Sequence, residues 1–504
     1  MCLPHIGCAR DLRKGMRDEM KRLCAGLLSV LIPAICMASC GAQTPVRGNQ
    51  SAAGATAEEG NATVSRKTGE ETVPVTVASE SAPASTVTHT NTTVSTVSKT
   101  HTTTESTGKI TIRGEAYGEG SLKGLKPVKK LASDTAERGD AFTAGLLKGL
   151  YEKGENLFIS PASLYLALAM TANGAAGNTL SQMLSVLQVK DLSALNQNCR
   201  DIQSLLVGNE KNSFRVANAI WLEKSVSGAT KRSFLDRNRS YYGALVRVRE
   251  FDKGLMTELN GWVEQQTDGK IKNLMEQPPN PEVVMLLVNT LLFNGKWSDP
   301  FTPGVYTDHI FHAPDGDKTV SMMGKRLDSA SWYEDDSVQA TMMDFTDGRT
   351  AMLLALPKNG LDGWMSGLSA DKLSALVGMR DKDTVILSLP RFSMEYGKEM
   401  KTVLEKLGMT EAFQQTAANF GEMADPAKIQ QLYIGSVQHK AVLEVTEQGV
   451  SAAAGTLIEM KCRSAYVEQP KQLTLDRPFF CAIVDRPTGM IWFTGTVNDP
   501  QPVK

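Results

Sequence analysis

Hydrophobic and polar positions divide the chain into a polar N-terminal part and a periodic body. Between residues 41 and 116 there is no Phe, Tyr or Trp, and Thr, Ser, Ala, Val and Glu dominate. Such a stretch cannot bury enough apolar surface to offset its chain entropy. We therefore predict a disordered Thr/Ser-rich tether over residues 40–130 and a folded body over residues 131–504.

Within the body, helical patterns come first and strand patterns follow. Asp134 can cap a first helix that runs to Leu150 with apolar residues at spacings of three and four. Further helices are predicted over residues 163–171, 178–187 and 192–206. Strands are predicted over residues 215–222, 283–293, 350–356, 384–389, 441–445 and 490–497. Because strict strand–helix alternation is rare, the order predicts an α+β fold with antiparallel or mixed sheets.

The start of the chain has the pattern of a bacterial lipoprotein signal. Lys21 and Arg22 precede an apolar run over residues 23–38, which is short for a membrane span and suits a signal peptide. The run ends in Met-Ala-Ser-Cys-Gly, which resembles a lipobox, so residues 1–39 are predicted to be removed and Cys40 to receive a lipid. A plain secretory signal cleaved near the same place is the alternative.

Net charge and cysteine content limit which partners and which covalent cross-links the sequence predicts. The chain has 504 residues and a formal net charge of −1, so nothing argues for a nucleic-acid partner. Five of the eight cysteines precede residue 41, and only Cys199, Cys462 and Cys481 lie in the body. This sparse, odd set does not make a disulfide framework, so the body must depend on its own core.

Motifs for catalysis or metal binding are missing from the sequence. There is no G-x-S-x-G elbow, no H-E-x-x-H and no phosphate loop. His309 and His312 lie three residues apart, but no third ligand accompanies them. We therefore expect no enzyme activity, no metal and no cofactor.

Several segments in the body resemble the serpin family, in the family's order. They are Asn-Leu-Phe-Ile-Ser-Pro-Ala-Ser at 156–163, Asn-Ala-Ile-Trp at 218–221, Thr-Asp-Gly-Lys-Ile at 267–271, Leu-Val-Asn-Thr-Leu-Leu-Phe-Asn-Gly-Lys-Trp at 287–297, Leu-Pro-Arg-Phe at 389–392, His-Lys-Ala at 439–441 and Asp-Arg-Pro-Phe at 476–479. Each motif alone is weak, whereas seven in order over residues 131–504 are specific.

The resemblance implies a serpin fold of three β-sheets and about nine helices, with an exposed reactive centre loop near the C-terminus. It also implies a set of polar residues under the central sheet, called the shutter, and a tryptophan at the top of that sheet, called the breach. In this sequence the shutter residues are Ser160, Ser163, Asn289 and His439, and the breach residue is Trp297. Their side chains supply hydrogen bonds that can be exchanged when a sheet parts.

The resemblance also locates a bait bond. In inhibitory serpins a hinge glutamate lies sixteen positions before the residue whose carbonyl is attacked, and counting from Glu447 leads to Arg463, followed by Ser464. The predicted hinge consists of Glu447, Gly449, Val450, Ser451, Ala452, Ala453 and Ala454. The segment after Ser464 is longer than usual, so Lys461 and Tyr466 remain alternative cleavage positions.

The hinge and loop alternate in a way that suits a strand. From Val450, every second residue to Cys462 is apolar or small, whereas the other set contains every charge up to Arg463. Period-two alternation favours a strand with one buried face, although alanine content also favours a helix in the resting loop.

These features predict an irreversible inhibitor that traps trypsin-like serine proteases, or Arg-specific cysteine proteases, as an acyl-enzyme by loop insertion. A non-inhibitory serpin that acts as a binding or chaperone-like envelope protein is the alternative. We expect a monomer, no nucleic-acid partner, attachment to the membrane through the lipid on Cys40, and a place in the cell envelope, or in the medium if the signal is a plain secretory one.

Overall fold

A computed structural model describes residues 115–119, 122, 125–128, 131, 135–207, 213–279, 281–429, 432–450 and 469–503. Two predicted sites lie outside these described residues. One is the lipid-attachment residue Cys40, and the other is the reactive segment 451–468, which contains Ser451, Ala452, Ala453, Ala454, Arg463 and Ser464.

Nine α-helices lie within the described residues, in agreement with the expected number. They are α1 (Thr135–Leu150), α2 (Pro161–Ala172), α3 (Gly177–Val186), α4 (Leu192–Val207), α5 (Arg232–Tyr242), α6 (Leu255–Gln266), α7 (Leu361–Ser366), α8 (Ala370–Val377) and α9 (Lys401–Lys406). Short 3₁₀ turns occur at Lys224–Ala229 and Glu411–Phe413. Across the described residues, no helix combines the length and the apolar character needed to cross a membrane.

The strands are more numerous than the sequence pattern predicts. They are β1 (Glu115–Glu119), β2 (Leu157–Ile159), β3 (Ser213–Glu223), β4 (Leu245–Arg249), β5 (Met285–Lys296), β6 (Tyr306–Ala313), β7 (Gly316–Glu334), β8 (Val338–Asp344), β9 (Thr350–Pro357), β10 (Lys382–Pro390), β11 (Phe392–Glu399), β12 (Gln438–Thr446), β13 (Gly449–Val450), β14 (Lys471–Thr474), β15 (Phe479–Asp485) and β16 (Ile491–Val497).

The central sheet has the strand order β1-β4-β3-β5-β13-β12-β11. The longest pairing joins β3 and β5, which run antiparallel from Ser213 opposite Asn294 to Leu222 opposite Met285. On the far side, β11 pairs antiparallel with β12 over its whole length, from Phe392 opposite Val445 to Glu399 opposite Gln438. In the part of the chain that the structure describes, these two halves are joined by the two-residue strand β13 alone.

The remaining strands form two sheets that share the long strand β7. Its first part pairs with β6 and its middle part with β10, and β10 in turn pairs with β14, which gives a small third sheet. Its last residues pair with β8, which continues through β9, β15 and β16 to β2. Three sheets and nine helices confirm the α+β fold class.

Helix α2 lies at the centre of the folded body and is buried on almost every side. Ser160 caps it by accepting a hydrogen bond from the backbone N–H of Ser163 at 3.1 Å, and Pro161 occupies the first turn, where no N–H is needed. The helix packs against β5 of the central sheet and β16 of the second sheet. The polar residues at its start therefore lie directly under the central sheet.

Part of the predicted tether is structured, which corrects the boundary at residue 131. Strand β1 pairs antiparallel with β4, with Glu115 opposite Val248 and Glu119 opposite Leu245. Further along, the backbone N–H of Val128 donates to Ser204 Oγ at 3.2 Å. Pairing at a sheet edge uses backbone groups, so the polar composition of this part of the chain does not prevent it. Within the described residues, the folded body begins at Glu115.

Candidate functional site

An incomplete junction divides the central sheet between β5 and β12. Among the described residues, no ladder joins these two strands directly, and only β13 bridges them at one end. There, Val450 lies opposite Val445 of β12 and opposite Gly295 of β5. The junction thus has the geometry to accept one more strand, and β13 supplies two residues of it.

A small apolar cavity lies along this junction, in line with β13. Its lining comes from both half-sheets, from the second sheet and from the turn after α6, and consists of Phe158, Lys270, Ile271, Leu291, Leu292, Phe293, Val442, Leu443, Val450, Ile483 and Phe493. Lys270 is the one charged residue among them, and its ammonium group forms an ion pair with Glu444 of β12. The cavity therefore offers an apolar floor to a chain that entered between the strands.

The start of β13 requires glycine. Gly449 has φ +151°, a conformation that L side chains rarely adopt, and a Cβ added to it would lie 1.9 Å from the carbonyl oxygen of Gly295. Any side chain at Gly449 would therefore push β13 away from β5. The next side chain, Val450, points into the core and is 2% exposed.

Glu447, just before β13, is held by partners from three separate parts of the chain. The carboxylate accepts a hydrogen bond from Tyr306 Oη at the start of β6. It also forms an ion pair with Arg391, whose Nε lies 3.4 Å from Glu447 Oε2. The backbone carbonyl of Glu447 accepts from the N–H of Phe301 at 3.0 Å. These contacts fix the position from which the reactive segment leaves the sheet.

Trp297 closes the top of the junction. Its indole Nε1 donates to the carbonyl of Thr446 at 2.9 Å, and its backbone N–H donates to the carbonyl of Gln448 at 2.9 Å. The ring stacks on Phe345 with centroids 4.5 Å apart and planes 14° apart. The tryptophan therefore binds both sides of the turn between β12 and β13.

The four polar residues predicted to form the shutter lie together beneath the junction. The backbone N–H of Ser160 donates to His439 Nε2 at 3.1 Å, and Ser160 Oγ donates to the carbonyl of Trp492 at 2.8 Å. Ser163 Oγ donates to Asn289 Oδ1. This cluster thus joins α2 to β5 on one side of the junction and to β12 on the other.

Asn218 is a further member of this cluster that the sequence motifs did not assign to it. Its Oδ1 accepts from Asn289 Nδ2 at 2.6 Å, and its own amide donates to the carbonyl of Tyr242 at 2.7 Å. A buried asparagine in an otherwise apolar strand is a signal that could have identified it, since buried amides need partners. The polar cluster therefore extends across β3 as well.

The buried imidazole of His439 predicts a pH dependence of stability. Burial lowers its pKa from 6.5 to about 4, because a charged ring would be desolvated there. The unfolded chain then binds more protons than the folded chain between these values, so stability is complete above pH 6.5 and falls with acidification. The expected loss from pH 7 to pH 4 is about 3 kcal/mol from this group.

Urea unfolding of the original chain and of a His439→Gln variant at pH 4 and pH 7 measures this contribution. Glutamine keeps a hydrogen-bond acceptor and removes the titration, so the loss on acidification should shrink by about 3 kcal/mol. An equal loss in the two chains would contradict the assignment to His439.

Neither body cysteine in the described residues forms a disulfide. Cys199 and Cys481 are buried and free, and burial raises the pKa of each thiol to about 12. His312 Nδ1 lies 2.8 Å from Asp317 Oδ1. No group of three or more His, Cys, Asp or Glu side chains in the described part of the chain could hold a metal ion.

Comparison with known proteins gives one consistent result. A family model described as Serpin (serine protease inhibitor) matches residues 137–500. An uncharacterized serpin-like protein of Thermococcus kodakarensis is 30% identical over 370 residues, which cover 72% of this chain and 85% of that protein. Serpin B6 of Pongo abelii is 31% identical over 380 residues, covering 72% of this chain and 99% of that protein.

Solved structures agree with these sequence matches. The crystal structure of the thermophilic serpin tengpin in its native state has a TM-score of 0.68 and 29% identity to this chain. The match covers 76% of this chain and 100% of that structure.

Proposed function

Because the chain belongs to the serpin family, whose members are in general protease inhibitors, we propose that it is an inhibitory member that traps Arg-specific proteases through Arg463. The target class is trypsin-like serine proteases, together with Arg-specific cysteine proteases. The observation that supports this most directly is the two-residue strand β13, seated between β5 and β12 above an apolar cavity.

Extending the two registers of β13 tests whether the reactive segment fits the junction. Since Val450 lies opposite Val445 and Gly295, two residues further along the ladder Ala452 falls opposite Leu443 and Phe293. Two residues further again, Ala454 falls opposite Ala441 and Leu291. All four of these positions on β5 and β12 are buried. The small, apolar half of the alternating segment thus meets the buried face, and the charged half meets the other face.

The chemical step is supplied by the protease. Its hydroxyl or thiolate attacks the carbonyl carbon of Arg463, the bond to the nitrogen of Ser464 breaks, and that nitrogen takes a proton from the protease's general acid. The result is an ester or thioester between Arg463 and the protease. In this mechanism, the side chains of the inhibitor perform no catalysis and each molecule acts once.

Insertion of the freed segment then competes with hydrolysis of the acyl bond. Residues 450–463 span roughly 45 Å when extended, so the attached protease would be carried to the opposite end of the sheet. New ladder hydrogen bonds at about 1 kcal/mol net each amount to about 10 kcal/mol. That is comparable to the stability of a whole domain, so it is sufficient to distort the active site of the protease.

The polar cluster and the breach have distinct roles in this mechanism. Sheet opening separates β5 from β12, and therefore separates Asn289 from His439, which both bind the start of α2. Hydrogen bonds of this kind can be exchanged for bonds to an entering strand, which interlocked apolar side chains do not allow. Trp297 keeps the turn before β13 in place while the rest of the segment moves.

The lipobox-like sequence that ends at Cys40 supports a proposal about where the inhibitor acts. We propose that a lipid on Cys40 and the Thr/Ser-rich segment that follows it would hold a monomeric body in the cell envelope with considerable reach. In this arrangement the partners are the target protease and the membrane.

Trapping can be tested with the chain from residue 41 onward and purified trypsin. A denaturing gel should show a covalent band whose mass is the sum of the two proteins minus the released C-terminal fragment. Trypsin whose active-site serine is already blocked is the control and should give no band. Rapid cleavage of the chain without a covalent band would instead support a non-inhibitory binding protein, and would contradict the proposal.

A further inference from the structure

Exposed apolar side chains are concentrated at and just before strand β6 of the third sheet. Four large apolar residues are exposed in the described part of the chain, and three of them are Val305, Tyr306 and Ile310, which are 61%, 40% and 44% exposed. The fourth, Val207, is at the end of α4. Scattered exposed apolar residues are normal, but a contiguous group on a folded body marks an interaction surface.

The strand that bears this group is also a free edge. Strand β6 pairs with β7 and with no other strand among the described residues. Phe311 and Ala313 are buried on its inner face, whereas Tyr306, Asp308 and Ile310 alternate with them on the outer face. Natural edge strands are usually protected by charged or proline residues. Apart from His312 near its end, which pairs with Asp317, the outer face of β6 has one ionisable side chain, Asp308.

Asp308 is available to a partner, unlike the acids around it. Asp299 lies 2.7 Å from Lys325, and Asp317 lies 2.8 Å from His312. Asp315 binds Lys318. The exposed carboxylate of Asp308 has no ion pair among the described residues. We call Val305, Tyr306, Asp308 and Ile310 the β6 surface; it is apolar with one unpaired negative charge.

The β6 surface adjoins the place where the described chain leaves the central sheet. Tyr306 Oη donates to Glu447, three residues before Val450, where the described chain leaves the central sheet. The chain returns at residue 469 and enters β14, which belongs to the same sheet as β6. A protease bound to residues 451–468 is therefore brought next to this sheet.

We infer that the β6 surface is a second contact site for the body of the target protease, outside its specificity pocket. This inference rests on the proposed inhibitory function and specifies its partner. The matching region of the protease is an apolar strip with a basic side chain opposite Asp308. Selectivity among proteases that all accept arginine then comes from this surface, and it acts on the rate of the first encounter rather than on insertion.

The experiment compares the rate of covalent-complex formation for four chains. They are the original, a Val305→Ser/Ile310→Thr double variant, an Asp308→Lys variant and a Val207→Ser control. The control removes an exposed apolar side chain of the same kind far from β6 along the chain. The probes are trypsin, thrombin and plasmin, which all cleave after basic residues. Threonine is chosen at position 310 because it is β-branched and suits an edge strand.

For at least one of these proteases, the double variant and the Asp308→Lys variant should each capture about ten-fold more slowly, as expected for the loss of central interface contacts. The number of inhibitor molecules consumed per protease should stay unchanged, since insertion is untouched. The Val207→Ser control should match the original chain.

Equal capture rates in all four chains with all three proteases would overturn the inference and leave the inhibitory function intact. If the original chain forms no covalent complex with any of the three, both proposals fall. Light scattering tests whether the β6 surface binds a second copy of the chain rather than a protease. A dimer of the original that the double variant dissolves, with capture rates unchanged, would assign the β6 surface to self-association and overturn the inference.

Discussion

A chain in which Val450 is replaced by arginine is expected to be digested by trypsin as an ordinary substrate. Val450 is 2% exposed and lines the cavity between β5 and β12, next to Phe293 and Leu443. Burying an unpaired guanidinium there costs several kcal/mol, so an arginine would displace β13 from the junction in the resting chain, and its burial would then add to the barrier to insertion. Since 1.4 kcal/mol is a factor of ten in rate, insertion should slow by about a hundred-fold or more and lose the competition with deacylation.

The measurement is the number of inhibitor molecules consumed for each trypsin molecule inactivated. It should rise from near one in the original chain to more than about ten in the variant, while cleavage after Arg463 continues. Val450→Thr is the matched control, because threonine has the same shape and a small hydroxyl, and it should still form the complex. If the Val450→Arg chain traps trypsin as efficiently as the original, insertion at this junction is not how the protein works.

Replacing Arg463 by alanine is expected to reduce the rate of trypsin capture by about a thousand-fold or more. The specificity pocket of trypsin contains a buried carboxylate that pairs with a guanidinium through two hydrogen bonds. An alanine leaves that carboxylate without its partner, and pockets built for a polar group reject analogues that lack it by large factors. Arg463→Lys should retain much of the rate, since lysine also satisfies the charge.

The control for Arg463 is Lys461→Ala, which removes the neighbouring basic residue and should leave capture nearly unchanged. Mass spectrometry of the C-terminal fragment released from the original chain should show an N-terminal Ser464. A fragment that begins at Cys462, together with loss of capture in Lys461→Ala, would move the bait bond to Lys461.

The sequence predicted those elements whose local pattern and final burial agree. Strand β9 was found because its eight residues, Thr350–Pro357, are all buried and form one apolar run. Strand β7 was missed although it has nineteen residues, since polar residues and Gly324 interrupt it. Its extended form is imposed by pairing with β6, β8 and β10, which a local pattern does not contain.

The sequence motifs point to several residues near the junction but not to the contacts that they make. Ser160, Ser163, Asn289 and His439 were identified through family motifs, and the structure places them within one hydrogen-bonded cluster. The partners of Glu447 were not foreseen. Arg391 and Tyr306 lie 56 and 141 residues away in sequence, so only the folded chain brings them to the hinge.

The strand at residues 115–119, inside the predicted tether, could not be predicted from its composition. Its composition gives no reason to expect order, and residues 115–119 have no apolar alternation. What orders them is the unpaired edge of β4, which offers backbone donors and acceptors to any extended chain. A sequence pattern describes what a segment can bury, whereas edge pairing depends on what a neighbouring strand leaves free.

The seating of Gly449 and Val450 between β5 and β12 also has a consequence for timing. Cooperative structures are slow to start and fast to grow, because the first bonds must form without neighbours. Here the first two residues are already bonded on both sides before any cut is made. Growth of the new strand therefore needs no nucleation step, starts from one end only, and has its register set in advance, so a shift by one residue that would turn the charged side inward is excluded.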